Sequence, residues 1–223
     1  MLLVHLQKRL HLLLIFFQLQ EQGANNINLV TAGHFLPQAA VALTMAKEQG
    51  LHIPVVYNSS GYEKVEALKM LDGLVDIYLP DFKYMDAVLA KKYSHAQDYP
   101  EIAKKALSEM VRQVGEAEFD SRGMMKKGVI VRQLLLPGHV KDAKNVLKYL
   151  YETYGDRIYI SMMNQYTPMP AMKADPQLSR KVTDREYERL IDYAISLGLK
   201  NGFMQEGETA KESFIPEFDG EGV

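Results

Sequence analysis

Short apolar runs recur along this chain, and each one closes in a small group of polar residues. They are Asn28-Leu-Val-Thr31; Val55-Val-Tyr-Asn58 with Ser59, Ser60 and Gly61; Ile77-Tyr-Leu-Pro-Asp81 with Phe82 and Lys83; Val129-Ile-Val-Arg132; and Ile158-Tyr-Ile-Ser161 leading on to Tyr166. Helix-like sequence separates them, and apolar runs this short read as buried strands. Strand-then-helix order predicts an α/β fold with a parallel sheet, because parallel neighbours need a crossover between them. Polar residues gathered at the carboxyl ends of parallel strands mark a site rather than a stability feature.

The pattern sets the following elements. A first helix ends at Gly23, where glycine after a periodic run is a common C-terminal cap. A strand over Ile27 to Thr31 follows, then a helix over Pro37 to Gln49 closed by Gly50. Next come a strand over Ile53 to Tyr57, a short helix over Glu63 to Leu71 ending near Gly73, and a strand over Val75 to Leu79. Residues 85–116 read as a long polar helical stretch interrupted at Tyr99-Pro100, with Ile102, Ala106, Met110 and Val114 on one face. Val129 to Leu136 is the most continuous apolar strand, and Pro137-Gly138 ends it. A helix over Val140 to Tyr154, a strand over Ile158 to Met163 and a helix over Thr183 to Leu197 complete the order. Thr183 with Glu186 three residues on is a capping-box pattern. From Gly202 to Val223 the chain is polar and Gly-rich, which suits a surface strand or an extended tail.

Composition narrows the function classes. With 223 residues and 47% hydrophobic content, the chain suits one well-buried domain. A formal net charge of −2 offers no cationic excess for nucleic acid or an anionic membrane surface. The sequence contains no cysteine, which excludes disulfides, thiolate metal sites and a Cys nucleophile and makes the cytoplasm the expected location. Leu12 to Phe17 behind Lys8-Arg9 has the outline of a signal peptide. The run is short, lacks a small-residue cleavage site and falls below the roughly 20 apolar residues that span a bilayer, so it reads as a core-facing helix.

Taken singly, the polar groups have two readings each. Asn58-Ser-Ser-Gly61 is good turn chemistry as well as a candidate site. Asp81 and Lys83, two apart, point the same way on a strand and can address a ligand or simply pair with each other. Arg132 in an apolar strand implies a partner for its charge. His34 after Thr31-Ala-Gly is either a ligand contact or an ordinary loop histidine.

Five segments taken together resemble a known family: Asn28-Leu-Val-Thr-Ala-Gly-His34, Val56-Tyr-Asn-Ser-Ser-Gly-Tyr62, Asp76-Ile-Tyr-Leu-Pro-Asp-Phe-Lys-Tyr84, Val131-Arg-Gln-Leu-Leu-Leu-Pro-Gly138 and Met163-Asn-Gln-Tyr-Thr-Pro168. They are similar to radical S-adenosylmethionine proteins related to the pyruvate formate-lyase activating enzyme, from about Leu12 to Phe214-Ile-Pro-Glu-Phe-Asp-Gly220. The resemblance implies a partial (β/α) TIM-like barrel that carries S-adenosylmethionine and a 4Fe–4S cluster at the strand ends. In that family the cluster hangs on a Cys-x3-Cys-x2-Cys loop after the first strand, because soft iron of this kind takes thiolate ligands. Here neither that loop nor its strand is present, so the expectation is a single truncated domain over 1–223, with a poorly matched 1–11 and an extension over 203–223. No cluster is expected on this chain alone.

The resemblance also implies roles. Thr31 to His34 would meet the amino group of S-adenosylmethionine, and Asn58, Ser59 and Ser60 would face the ribose or a nearby cation. Asp81 and Lys83 would address the polar ends of the cofactor, Arg132 a carboxylate or ribose oxygen, and Tyr166 stands near a family histidine. A complete relative cleaves S-adenosylmethionine reductively to a radical that acts on a glycyl radical enzyme or another substrate. A missing first strand would leave a sheet edge near Ile27 to Thr31 open to self-association. Two other readings stay open: a Schiff-base (β/α) lyase using Lys83, and a non-catalytic module that binds a ligand or a protein.

Overall fold

The computed structural model describes residues 2–169 and 174–204. Helix α1 (Leu2–Glu21) precedes β1 (Ile27–Val30), and a 3-10 turn (Ala32–Phe35) leads into α2 (Leu36–Glu48). β2 (Val55–Ser59), α3 (Val65–Lys69) and β3 (Ile77–Pro80) follow, then α4 (Ala87–Ser94) and α5 (Tyr99–Val114). The chain closes with β4 (Glu118–Phe119), β5 (Met125–Leu134), α6 (Val140–Tyr154), β6 (Tyr159–Met163), α7 (Asp184–Ser196) and β7 (Gly202–Met204).

Six strands lie side by side in the order β1-β2-β3-β5-β6-β7, every neighbouring pair parallel, and β4 pairs antiparallel with β5. Sheet order therefore follows chain order. Successive crossovers step in the same direction; connections between parallel strands are right-handed as a rule, which brings the helices to one face, as in an incomplete (β/α) barrel. Within that layer α1 packs on α2, α5 on α3 and α4, and α6 on α7.

Alternation along the strands gives the two faces different jobs. Tyr57, Tyr78, Val129, Val131 and Ile160 point to the helices and are fully buried. They meet Leu107 and Met110 of α5 and Val146, Leu147 and Leu150 of α6 in the core. The opposite, concave face carries Asn28, Val56, Ile77, Leu79 and Ile130, which line an open hollow of about 320 Å³. Farther along that face, by the same period of two, come Asn58, Asp81 and Arg132.

Local signals explain most boundaries. Gly23 follows α1 at φ +80°, the left-handed conformation of a glycine C-terminal cap. Thr183 and Glu186 form the full capping box at the start of α7. Pro100 lies in the first turn of α5, where a missing N–H is harmless; it starts a helix, while α4 has already ended at His95 with φ 52°. On α5 the buried stripe is Ala103, Ala106, Leu107, Met110, Val111 and Val114, with Ile102 only partly covered.

Several strand bounds differ from the expectation. β2 begins at Val55 rather than Ile53, because Pro54 offers only a carbonyl to β1, at 2.9 Å from the Ile27 N–H. β5 begins at Met125, four residues before the apolar run, because β4 pairs with Met125 and Lys127. β4 itself, two residues long, carries no periodic signal to read. The expected tail beyond Met204 lies outside the described residues. Among the described residues no helix is long and apolar enough to cross a membrane, and Leu13 and Phe16 of α1 face the core as expected.

Gly61 and Gly73 test this packing. Both take φ +76°, but a Cβ on Gly61 would lie 2.1 Å from the Asp81 carbonyl oxygen, whereas Gly73 has nothing within 4 Å. Gly73→Ala should cost about 1–2 kcal/mol from backbone conformation alone, and Gly61→Ala clearly more, because two loops must separate. Urea unfolding of the two variants checks this, and equal losses would contradict it.

Candidate functional site

The loops after β2 and β3 are joined by one phenol. Tyr99, at the start of α5, is 3% exposed. Its hydroxyl lies 2.9 Å from the Ser60 carbonyl and 3.1 Å from the Asp81 carbonyl, and accepts from the Lys83 N–H at 3.0 Å. Tyr62 stacks on its ring, and Phe82 and Tyr84 meet it edge-on. Loop backbone that would otherwise need water is thereby paired inside the protein.

On the concave side, Asp81 receives two cations. Its Oδ1 is 2.7 Å from Arg132 Nη2, and its Oδ2 is 3.5 Å from Lys83 Nζ. The partner that Arg132 required is thus Asp81, and the two residues also pair through the backbone. The side chains of Asp81, Arg132 and Lys83 stay 24%, 25% and 36% exposed, so the trio is reached by solvent. Arg132 Nε is buried and has no hydrogen-bond partner among the described residues.

Ser59 turns to the other face of β2. Its hydroxyl donates to Glu63 Oε2 at 3.1 Å and accepts from the Gly61 N–H at 3.2 Å. Burial holds the Glu63 carboxyl above its usual range, with Ser59 opposing the shift and Asp81 adding to it. Glu63, Ser59, Ser60, Thr31, His34 and Tyr57 line a cavity of about 410 Å³ between the ends of β1 and β2. Thr31 adopts φ 54°, a left-handed conformation unusual for a β-branched residue, with its N–H bound to the Asn58 carbonyl at 3.1 Å.

Lys83 also borders a mostly apolar cavity of about 220 Å³ with Tyr84, Tyr93, Leu134, Leu136 and Tyr166. Tyr166 donates to the Leu178 carbonyl at 2.9 Å, so its phenol holds the wall of that cavity. Behind it, Tyr93 lies 3.0 Å from His139 Nε2, and burial, with Lys92 nearby, lowers the His139 pKa. Asp142 is buried and accepts the Met85 N–H at 3.2 Å on each oxygen.

The nine residues singled out from sequence therefore divide three ways. Thr31, His34, Ser59 and Ser60 share the polar cavity. Asp81, Lys83 and Arg132 form the charged trio, with Asn58 on the same concave face. Tyr166 meets only Lys83 of this set, across the apolar cavity. Glu63, Tyr57, Tyr99 and Asp142 were not among them. In sequence Glu63 opens the short predicted helix and Tyr99-Pro100 interrupts the predicted helical stretch, so neither carries a site signal.

Comparison with known proteins bears on the fold. No protein-family model matches the chain. It is 27% identical over 171 residues to the uncharacterized protein MJ0674 of Methanocaldococcus jannaschii, spanning 77% of this chain and 46% of that protein. The chain thus spans less than half the length of this curated relative. The fold is similar to the crystal structure of a domain of pyruvate-formate lyase-activating enzyme from Bacteroides vulgatus, with TM-score 0.56 and 13% identity over 81% of this chain and 98% of that one. The activating-enzyme-like (β/α) architecture expected from sequence is therefore present.

Asp142 gives the site a pH signature. Burial raises its carboxyl from 3.8 to about 6, against the Met85 and Asp86 N–H bonds that lower it. A raised acid binds its proton more tightly when folded, so its stabilisation is complete below the unfolded value and is lost as pH rises through the folded one. Between pH 3.8 and about 6 the wild type should lose up to about 3 kcal/mol relative to Asp142→Asn. Denaturant midpoints of both proteins across this range provide the check, and a constant difference would contradict it.

Proposed function

We propose that this chain is the S-adenosylmethionine-binding barrel portion of a radical S-adenosylmethionine protein of the activating-enzyme kind. The carrying observation is Asp81 between Arg132 and Lys83 at the carboxyl ends of adjacent parallel strands, where α/β sheets bind ligands. The guanidinium of Arg132 would hold a carboxylate or ribose oxygen through donors that Asp81 does not occupy. Asp81 and Lys83 would orient the polar ends of the ligand, and Asn58 would stand beside them on the concave face. Thr31, His34 and Ser60 would meet the amino-acid end from the neighbouring cavity, and Tyr166 would bound the substrate side.

When bound to a reduced cluster, S-adenosylmethionine supplies a carbon radical. The residues of this chain do not fit that cluster: the sequence contains no cysteine, and the described residues hold no group of three His, Asp or Glu placed for a metal. A thiolate-held cluster would need ligands from outside this sequence, so this chain's own contribution is binding and orientation. A glycyl radical enzyme as protein substrate belongs to the same reading. The outer side of β1, which among the described residues has β2 as its single strand neighbour and exposes Val30, would be where another strand or a second copy pairs. A Schiff-base role for Lys83 is disfavoured because Asp81 already engages its Nζ at 3.5 Å.

Calorimetric titration tests the proposal. S-adenosylmethionine should bind, and Arg132→Gln should weaken binding about tenfold, near 1.4 kcal/mol. Anaerobic iron and sulfide reconstitution should leave the chain without a 4Fe–4S cluster and without cleavage under dithionite. No binding, or equal binding by the variant, would overturn the ligand assignment; a stable active cluster would overturn the division of labour.

A further inference from the structure

The connection from β6 to α7 runs over residues 164–183, and a connection that long in a compact fold more often covers a functional region than serves as a plain link. Within it, residues 174–182 turn without regular helix or strand. Their one backbone–backbone hydrogen bond among the described residues, from the Ser179 N–H to the Asp175 carbonyl at 3.0 Å, stays inside the segment. Asp175 Oδ1 also accepts the Gln177 and Leu178 N–H groups, at 2.9 and 3.1 Å. The segment is thus a unit folded on its own carboxylate. Arg180 ties one end of it to α7, pairing with both oxygens of Glu186 at 2.7 and 2.8 Å.

The rest of the unit is held by side chains. Leu178 is 3% exposed between exposed neighbours, yet it stands outside the continuous hydrophobic core and lines the apolar cavity of about 220 Å³ instead. Tyr166 donates to its carbonyl at 2.9 Å. Gln177 lies against Gly138, where a Cβ would stand 2.9 Å from its Cδ. From α4, Lys92 reaches Asp175 Oδ2 at 2.7 Å, with the Tyr93 hydroxyl 3.4 Å from the same oxygen. A leucine over a cavity lacks the partner atoms of one in a close-packed core. The Lys92 side chain is 54% exposed, and an ion pair so placed contributes little and is screened by salt. These contacts are weaker than the sheet and helix packing around them, so the segment can leave while the barrel stays folded. We propose that residues 174–182 form a strap over the apolar cavity, seated by Leu178 and latched to α4 by Lys92 and Asp175, whose local opening uncovers the cavity that Lys83 borders. This assignment rests on the packing of the segment and does not require S-adenosylmethionine.

Because the sequence contains no cysteine, Leu178→Cys places a single thiol under the strap of the full chain. Its rate of modification by a thiol-reactive disulfide reagent reports opening. Below the unfolding transition that rate should stay nearly flat as urea rises, since local opening exposes little surface. Adding Lys92→Met should raise it roughly two- to fivefold, the range for an exposed ion pair. Sodium chloride at about 1 M should raise the rate with Lys92 present and leave it unchanged with Lys92→Met, because the latch is the screened contact. A rate that climbs with urea as steeply as global unfolding would overturn the strap. Equal rates with and without Lys92, or an equal response of both to salt, would overturn the latch. If Leu178→Cys does not fold, Leu136→Cys, in the lining of the same cavity, carries the thiol and the same outcomes decide. Failure to bind S-adenosylmethionine would leave this result untouched, so the two proposals fail separately.

Discussion

The candidate site depends on the Tyr99 hydroxyl. Strand-end loops carry function because they are free of the sheet ladder, and for the same reason their backbone groups need other partners. Here one buried phenol reaches the Ser60 and Asp81 carbonyls and the Lys83 N–H, so the β2 and β3 loops are fixed relative to each other. Gly61 permits that approach, since any Cβ would collide with the Asp81 carbonyl. Asp81 can then sit between Arg132 and Lys83 without having to find them by loop motion.

A second constraint is the period of two along β2. Tyr57 and Ser59 face the helical side with Glu63, while Asn58 faces the concave side with Asp81 and Arg132. Adjacent residues in one motif therefore serve two different volumes. The concave volume is bordered by partly exposed charges, whereas the other is lined by the partly buried Glu63 carboxyl and the Ser59 and Ser60 side of the β2 loop. Lys83 belongs to the trio and also borders the apolar cavity of Tyr84, Tyr93 and Tyr166, which places a third chemical environment next to the first two.

Much of the fold was legible because burial and turn chemistry are local. Helix α6 falls on the predicted bounds, Gly23 and the Thr183–Glu186 box end and begin helices as read, and the parallel order follows from alternation of strands with helices. What escaped depended on partners distant in sequence: β4 exists through β5, and β2 is shifted by its register with β1. In the site, Asp81, Lys83 and Arg132 were readable as charges at strand ends. The roles of Tyr99 and Glu63 were not, because a tyrosine beside a proline and a glutamate before a short helix look like ordinary helix starts until the loops above them are placed.

The central claim is that these strand ends form one prearranged ligand site on a chain that carries no cluster ligands of its own. Hydrogen exchange with and without S-adenosylmethionine tests it most directly. The account predicts added protection over residues 58–63, 81–84 and 130–134, with little change in α6 and α7. Protection confined to the helical layer, or none at saturating ligand, would contradict it.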